Sequence, residues 1–247
     1  AENVVNDFKT LQEKYNCNHF FFTDEALPIN FLRTFAAKII EEKVDVQWTG
    51  ELKFEKSLLK DDRMDLLYKS GCRKLIFGLE SYNQRVLDSM KKGVELSWVD
   101  DTVERCIKLG IAMHFYLICG FPTETREEVM DSVNFVLNNQ RLLDSPGFSA
   151  ILSQFDLERG APIEKNPAEW GLKNLYTPSE HDLSLGYSYE TTIGMNSKEI
   201  NDLYQELIEK LGREVMTFPH NYSLSDGLLY LAHHQRNSLT ERLLTLA

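Results

Sequence analysis

Five times between Asn18 and Asp156 a short apolar run ends in a polar tip, and the first four of these runs each lead into a helical pattern. The runs are Asn18 to Glu25, Val44 to Glu51, Arg73 to Ser81, Ile111 to Gly120 and Gly147 to Asp156. Alternation of this kind predicts a parallel sheet with right-handed crossovers, built either as an open doubly wound sheet or as a barrel. No GxGxxG follows the first run, which removes the main support for a dinucleotide-binding sheet. In barrels the reactive groups sit where strands end and loops begin, and here those ends hold Asp24, Glu25, Glu51, Glu80 and Ser81. The concentration of polar groups at strand ends favours a barrel or partial barrel.

The spacing of apolar residues supplies the elements. Val4, Val5, Phe8, Leu11 and Tyr15 recur at helical intervals, which predicts an amphipathic helix over Asn3 to Tyr15. His19-Phe20-Phe21-Phe22 is too apolar for a half-exposed strand and reads as a strand buried on both faces. Pro28 opens a second helix carrying Phe31, Leu32, Phe35, Ile39 and Ile40. Val44 to Thr49 reads as a strand, and Leu58 to Ser70 as a helix closed by Gly71. Leu75 to Phe77 follows as a strand, then helices over Asn83 to Lys91 and Trp98 to Leu109, the second closed by Gly110. A further helix runs from Glu127 to Leu137. Beyond Asp156, prolines and glycines break every period, so the chain reads as a long ordered loop packed through Trp170, Leu172, Leu175 and Tyr176. A short strand or extended segment over Leu183 to Thr192, a helix from Ser197 (as cap) to Leu211 and a last helix over Leu228 to Leu244 make the C-terminal part mainly helical cover.

Composition narrows the function class. A 247-residue chain with 43% hydrophobic residues can bury a full core, and its formal net charge of -11 argues against a nucleic-acid groove or an anionic membrane surface, leaving open only RNA contact by a locally basic face. No apolar run reaches membrane-spanning length and the N-terminus lacks a secretion signal, which gives a cytoplasmic expectation. Cys17, Cys72, Cys106 and Cys119 lie 55, 34 and 13 residues apart, neither a disulfide framework nor a short metal motif, so buried thiols are the default. His19, His114, His181, His220, His233 and His234 show no HxH or HExxH pairing and are not read as metal ligands. The carboxylates at the strand ends are the remaining chemistry. They can coordinate a hard cation, act as an acid/base pair, cap a following helix, or pair with a base such as Lys53, Arg73 or Lys92.

Their combination with neighbouring motifs is more specific. Gly78-Leu79-Glu80-Ser81 with Met90-Lys91-Lys92-Gly93 after it, Gly71-Cys72 before it, and Ile118-Cys119-Gly120-Phe121-Pro122-Thr123-Glu124-Thr125 further on resembles the radical S-adenosylmethionine superfamily. The resemblance covers roughly residues 18 to 170 and is nearest in look to members that carry a cobalamin-binding domain ahead of the barrel. It implies that Thr23, Asp24 and Glu25 meet the amino group of the cofactor's methionine moiety, that Glu51 lies near the ligand, and that Glu80 with Ser81 contacts its ribose or methionine part. It also implies that Lys92 meets the carboxylate and that Ile118 with the backbone around Phe121 lines the adenine pocket. A zwitterionic ligand wants an acceptor at its ammonium and a cation at its carboxylate, which this set offers. Tyr116 stands where relatives place an acid.

The same resemblance implies a [4Fe-4S] cluster held by a CxxxCxxC loop after the first strand, and no such loop occurs in the chain. The expected fold is therefore a partial (β/α) TIM-type barrel of parallel strands, truncated at its N-terminal strand, over residues 1–160, with a loop-rich and helical extension over 161–247. The expected function is that of a catalytic-core fragment, inactive alone, of an enzyme that reductively cleaves S-adenosylmethionine to a 5'-deoxyadenosyl radical. Its cluster would be bound by an upstream segment of the same parent chain, with an external electron donor and a possible upstream cobalamin domain. Two alternatives stand beside it: a divalent-metal-dependent (β/α) barrel lyase or hydrolase using Glu25, Glu51 and Glu80, and a non-catalytic binding or scaffold domain.

Overall fold

A computed structural model describes residues 1–177, 185–212 and 215. The last helix expected over 228–244 and the histidines His181, His220, His233 and His234 lie outside these residues. Five parallel strands, β1 (His19–Phe21), β2 (Gln47–Leu52), β3 (Cys72–Glu80), β4 (Ala112–Cys119) and β5 (Ser149–Gln154), pair in chain order and curl into a half-barrel. Around them lie α1 (Glu2–Tyr15), α2 (Ile29–Glu41), α3 (Arg63–Lys69), α4 (Gln84–Ser89), α5 (Leu96–Leu109), α6 (Arg126–Leu137) and the short α7 (Gln140–Leu143). This is the expected partial (β/α) barrel, and not the open doubly wound sheet that the alternation of apolar runs alone also allowed.

Alternation along each strand decides which residues meet the helices. Leu75, Phe77 and Leu79 of β3, and Met113, Phe115, Leu117 and Cys119 of β4, belong to one core together with Leu32 and Phe35 of α2, Val99 and Val103 of α5, and Val129, Val133 and Val136 of α6. Phe8, Phe20, Phe22, Phe35 and Trp48 form an aromatic cluster at the β1 end, where Phe8 stacks on Phe20 at 4.1 Å. The Trp48 indole, fully buried, donates to the Ser70 carbonyl at 3.1 Å, so the polar handle of a large side chain is satisfied inside the core.

Four expectations need correction. Phe21 is 52% exposed, because β1 is the edge of the sheet and among the described residues no strand pairs its outer side. The helix expected over Leu58 to Ser70 is a 3₁₀ turn at Lys56–Leu59 followed by α3; between them Asp61 takes a left-handed backbone, φ 54°, which a short polar side chain tolerates. The stretch after Asp156 is not mere loop, though the extended segment expected over Leu183 to Thr192 is there as a strand. It contains β6 (Leu157–Glu158), the short α8 (Pro162–Lys165), β7 (Leu172–Tyr176) and β8 (Gly186–Thr191), the strands forming a small antiparallel sheet in the order β6-β8-β7. This sheet carries its own apolar cluster: Leu157, Ile163 and Leu172 pack with Val86 and Phe121. Finally, α9 (Ser197–Gly212) lies beside α6 and β5 and is capped by Asn196 rather than Ser197. The Asn196 Oδ1 accepts from the Lys198 and Glu199 amides at 3.0 Å each, while the Asn196 amide donates to the Glu199 carboxylate. No helix among the described residues is long and apolar enough to cross a membrane.

Candidate functional site

The candidate site is built at the tip of β3. Phe77 and Leu79 turn toward the helices, so Gly78 and Glu80 project from the opposite, concave face. Gly78 pairs with Tyr116 but Glu80 with Leu117, so the ladder carries a bulge at Leu79. Glu80 itself adopts φ 62°, in the left-handed region, and the Ser81 amide donates to the Leu79 carbonyl at 2.7 Å. A glutamate held in that conformation marks strain retained by its surroundings.

Lys92 reaches this tip from the far end of α4. The helix starts at Asn83, whose Oδ1 accepts from the Val86 amide, and it ends at Met90; Lys91 is left-handed, φ 55°, and the Lys92 amide donates to the Leu87 carbonyl. The turn sends the Lys92 ammonium back to the Glu80 carboxylate, with Nζ 2.8 Å from Oε1. A Cβ added at Gly78 would lie 2.5 Å from Glu80 Oε1 and 3.3 Å from Lys92 Nζ, so the ion pair rests on a residue without a side chain. Glu51, half-buried on β2, faces the same place. Burial first, then the like charges of Glu80 and Glu25, push its carboxyl above the usual range, and Lys92 opposes the shift.

The second part of the site is the turn between β4 and α6. Gly120 has φ 85°, and a Cβ there would meet Ile200 of α9 at 2.7 Å. Thr123 is left-handed too, φ 73°, and the Glu124 amide closes the turn onto the Phe121 carbonyl at 2.9 Å. The Glu124 side chain folds beneath the turn, where Oε2 accepts from the Gly120 amide at 2.8 Å and the Phe121 amide at 3.2 Å. Its Oε1 is buried and meets no hydrogen-bonding partner among the described residues. Glu124 is 1% exposed, and burial pushes its carboxyl up to about 7 against the opposing pull of the two amides. Thr125 then caps α6 with a full capping box through Glu128.

The other expected residues fall as follows. Asp24 and Glu25 are exposed in the loop after β1. Ser81 is wholly buried under α6, its hydroxyl 3.3 Å from that of Ser132. Ile118 is half-buried on β4, and Phe121 is packed edge-on to Phe155 and Trp170 in the second apolar cluster. Cys72, Cys106 and Cys119 are buried free thiols whose ionisation burial disfavours, Cys119 being pushed up to about 12. His114 shares a 2.7 Å hydrogen bond with Ser149. Among the described residues no group of three or more His, Cys, Asp or Glu side chains converges as a metal site. Two contributors escaped the sequence reading of single residues. Glu124 reads there only as part of a motif, and Ser132 interrupts the apolar stripe of Val129, Val133 and Val136, which is the one signal that could have found it.

Comparison with known proteins gives a consistent family. The model of the radical SAM superfamily matches residues 1–136. An uncharacterized methyltransferase of Pyrococcus horikoshii is 29% identical over 137 residues, which are 55% of this chain and 29% of that protein. The bacteriochlorophyllide d C-12(1)-methyltransferase of Chlorobaculum tepidum is 27% identical over 153 residues, 60% of this chain and 32% of that protein. The matched stretch thus spans under a third of either relative. Among solved structures, the radical S-adenosylmethionine methyltransferase TsrM of Kitasatospora setae, with cobalamin and a [4Fe-4S] cluster bound, superposes with a TM-score of 0.61 at 16% identity, covering 92% of this chain and 51% of that one.

Proposed function

The chain belongs to the radical SAM superfamily, whose model matches more than half of it, and on that premise we propose that the concave end of the half-barrel holds S-adenosylmethionine as part of a methyltransferase-type radical enzyme. The observation that carries this reading is the Glu80–Lys92 pair set over Gly78, with Glu51 beside it. Lys92 spends one of its three donors on Glu80 among the described residues, which leaves donors for a ligand carboxylate. Glu51 and Glu80 together present acceptors to an ammonium. A raised carboxyl at Glu51 is relieved when a cation arrives between like charges, so the amino group of the ligand has a physical reason to settle there. Ile118 and the turn at Phe121 supply an apolar wall for an adenine, and Asp24 and Glu25 stand at the rim. The ligand, once bound, supplies the activated carbon for transfer or radical formation; this chain's residues bind it, orient it and shield it.

The three buried thiols of this chain do not fit a [4Fe-4S] cluster. Cys72, Cys106 and Cys119 are buried, hard to ionise and not convergent with other ligands, whereas cluster ligation needs thiolates. No electron-transfer step is therefore assigned to them. In the proposed whole enzyme the cluster and a cobalamin are held outside the residues described here, and an electron donor serves the cluster.

Isothermal titration with S-adenosylmethionine tests the site. Lys92→Ala removes a charge-assisted partner of the ligand carboxylate, so affinity falls by about tenfold or more, and Glu80→Gln weakens binding in the same direction. A wild-type chain without saturable heat, or variants that bind as the wild type does, overturns the proposal.

A further inference from the structure

Ser132 is an anomaly on α6. It stands in the stripe that α6 buries, beside Val129, Val133 and Val136, and is 1% exposed. A serine inside a helix is a weaker helix former than the residues around it, and a buried hydroxyl is unfavourable unless it is hydrogen-bonded. Here it is bonded across the fold: Ser132 Oγ accepts from the Tyr82 amide at 2.7 Å and lies 3.3 Å from Ser81 Oγ.

The two partners are the residues immediately after Glu80. The β3–β4 ladder ends at Glu80, so residue 82 has no strand partner for its amide among the described residues, and Ser132 supplies the acceptor. Side-chain alternation turns Glu80 to the concave face and Ser81 under α6, so one anchor on Ser81 and Tyr82 fixes the direction in which Glu80 leaves the strand. That direction includes the bulge at Leu79 and the left-handed backbone at Glu80, neither of which an unanchored chain end would keep. We propose that Ser132 is a positioning residue that holds the β3 tip in the kinked form in which the Glu80 carboxylate lies over Gly78 and meets Lys92. Tyr82 has other anchors, a stacked contact with Phe135 at 3.8 Å and a hydrogen bond from its hydroxyl to Asp100 at 2.7 Å, and these keep its ring in place. Ser132 is the side chain that accepts from the backbone amide two residues after Glu80.

The functional meaning rests on reading Glu80 and Lys92 as the cofactor-holding pair, but the geometry can be read without any cofactor. In the full chain, the rate at which each lysine is reductively methylated with formaldehyde is followed by peptide mass spectrometry, alongside amide exchange at Tyr82. In Ser132→Ala the Lys92 rate rises by about fivefold, the loss of one net hydrogen bond, toward the rate seen in Glu80→Gln. Lys173 and Lys198, on the surface, keep their rates. An unchanged Lys92 rate while Tyr82 exchange accelerates overturns the proposal, and so does a rise shared equally by all lysines, which signals general loosening. If Ser132→Ala does not fold, Ser81→Ala removes the other hydroxyl and leaves α6 intact; it too must raise the Lys92 rate, and an unchanged rate overturns the proposal. Failure of S-adenosylmethionine to bind would leave these rates as they are, so the two readings fail separately.

Discussion

Glu124 makes the stability of this fold depend on pH in a defined direction. Its carboxyl is 1% exposed, has one oxygen without a partner among the described residues, and is raised from the ordinary 4.5 to about 7 by burial. Because the folded value lies above the unfolded one, the proton-linked contribution is fully present below about pH 4.5 and is lost as pH rises through 7. A shift of this size corresponds to about 3 kcal/mol at 1.36 kcal/mol per unit. Arg85 and Glu128 are the charged groups acting on it, and they are forked together, Glu128 being held below the usual carboxylate range chiefly by Arg85, so neither titrates in that window.

The comparison that isolates this effect is wild type against Glu124→Gln. The glutamine can still accept from the Gly120 and Phe121 amides, and whatever its amide nitrogen costs is independent of pH. Urea unfolding at intervals from pH 5 to 8 should therefore show the stability difference, wild type minus variant, falling by about 3 kcal/mol, or roughly 1 M in midpoint, and levelling off above pH 8. Parallel curves for the two proteins across this range would refute the reasoning, since they would mean that Glu124 ionises alike in the folded and unfolded chains.

Further outcomes follow from the same geometry. Gly120→Ala adds a Cβ 2.7 Å from Ile200 at φ 85°, and should lower stability by about 2–4 kcal/mol in urea unfolding; a loss under about 0.5 kcal/mol would show that α9 yields freely. Gly78→Ala meets first the flexible ends of Glu80 and Lys92, so it should leave the unfolding midpoint nearly unchanged while weakening S-adenosylmethionine about tenfold by calorimetry; equal affinity would remove the pair from the site. Thr125→Ala opens the capping box of α6 and should cost about 1 kcal/mol by thermal unfolding, with no loss expected if Asp or Ser replaces it.

The half-barrel was legible because its strands are buried and its helices amphipathic, so both periods are written in the apolar residues. Reading failed where burial and period part company. Phe21 looks like its neighbours Phe20 and Phe22, yet its exposure depends on β1 being an edge, a property of the sheet and not of the run. The strands β6 and β7 hid on either side of Pro162, Pro167 and Gly171, which mark turns and obscure the two- and five-residue strands that flank them. At Asn196 and Ser197 two good caps stand side by side, and only the amide directions choose Asn196.

The site divides along the same line. Glu80 and Lys92 are twelve residues apart, within one strand, one turn and one short helix, so local sequence brings them together. Ser81 and Ser132 are separated by 51 positions, and no local pattern joins them. What joins them is α6, which touches both motifs: its start is fastened to the Gly120 turn through Glu124 and Thr125, and Ser132, two turns further on, is fastened to the residues after Glu80. A helix rises 1.5 Å per residue, so the six steps from Arg126 to Ser132 span roughly 9 Å, and a rigid rod of that length links the turn to the residues that follow Glu80. Through α6 the turn at Gly120 and the kinked tip at Glu80 are thus parts of one connected framework.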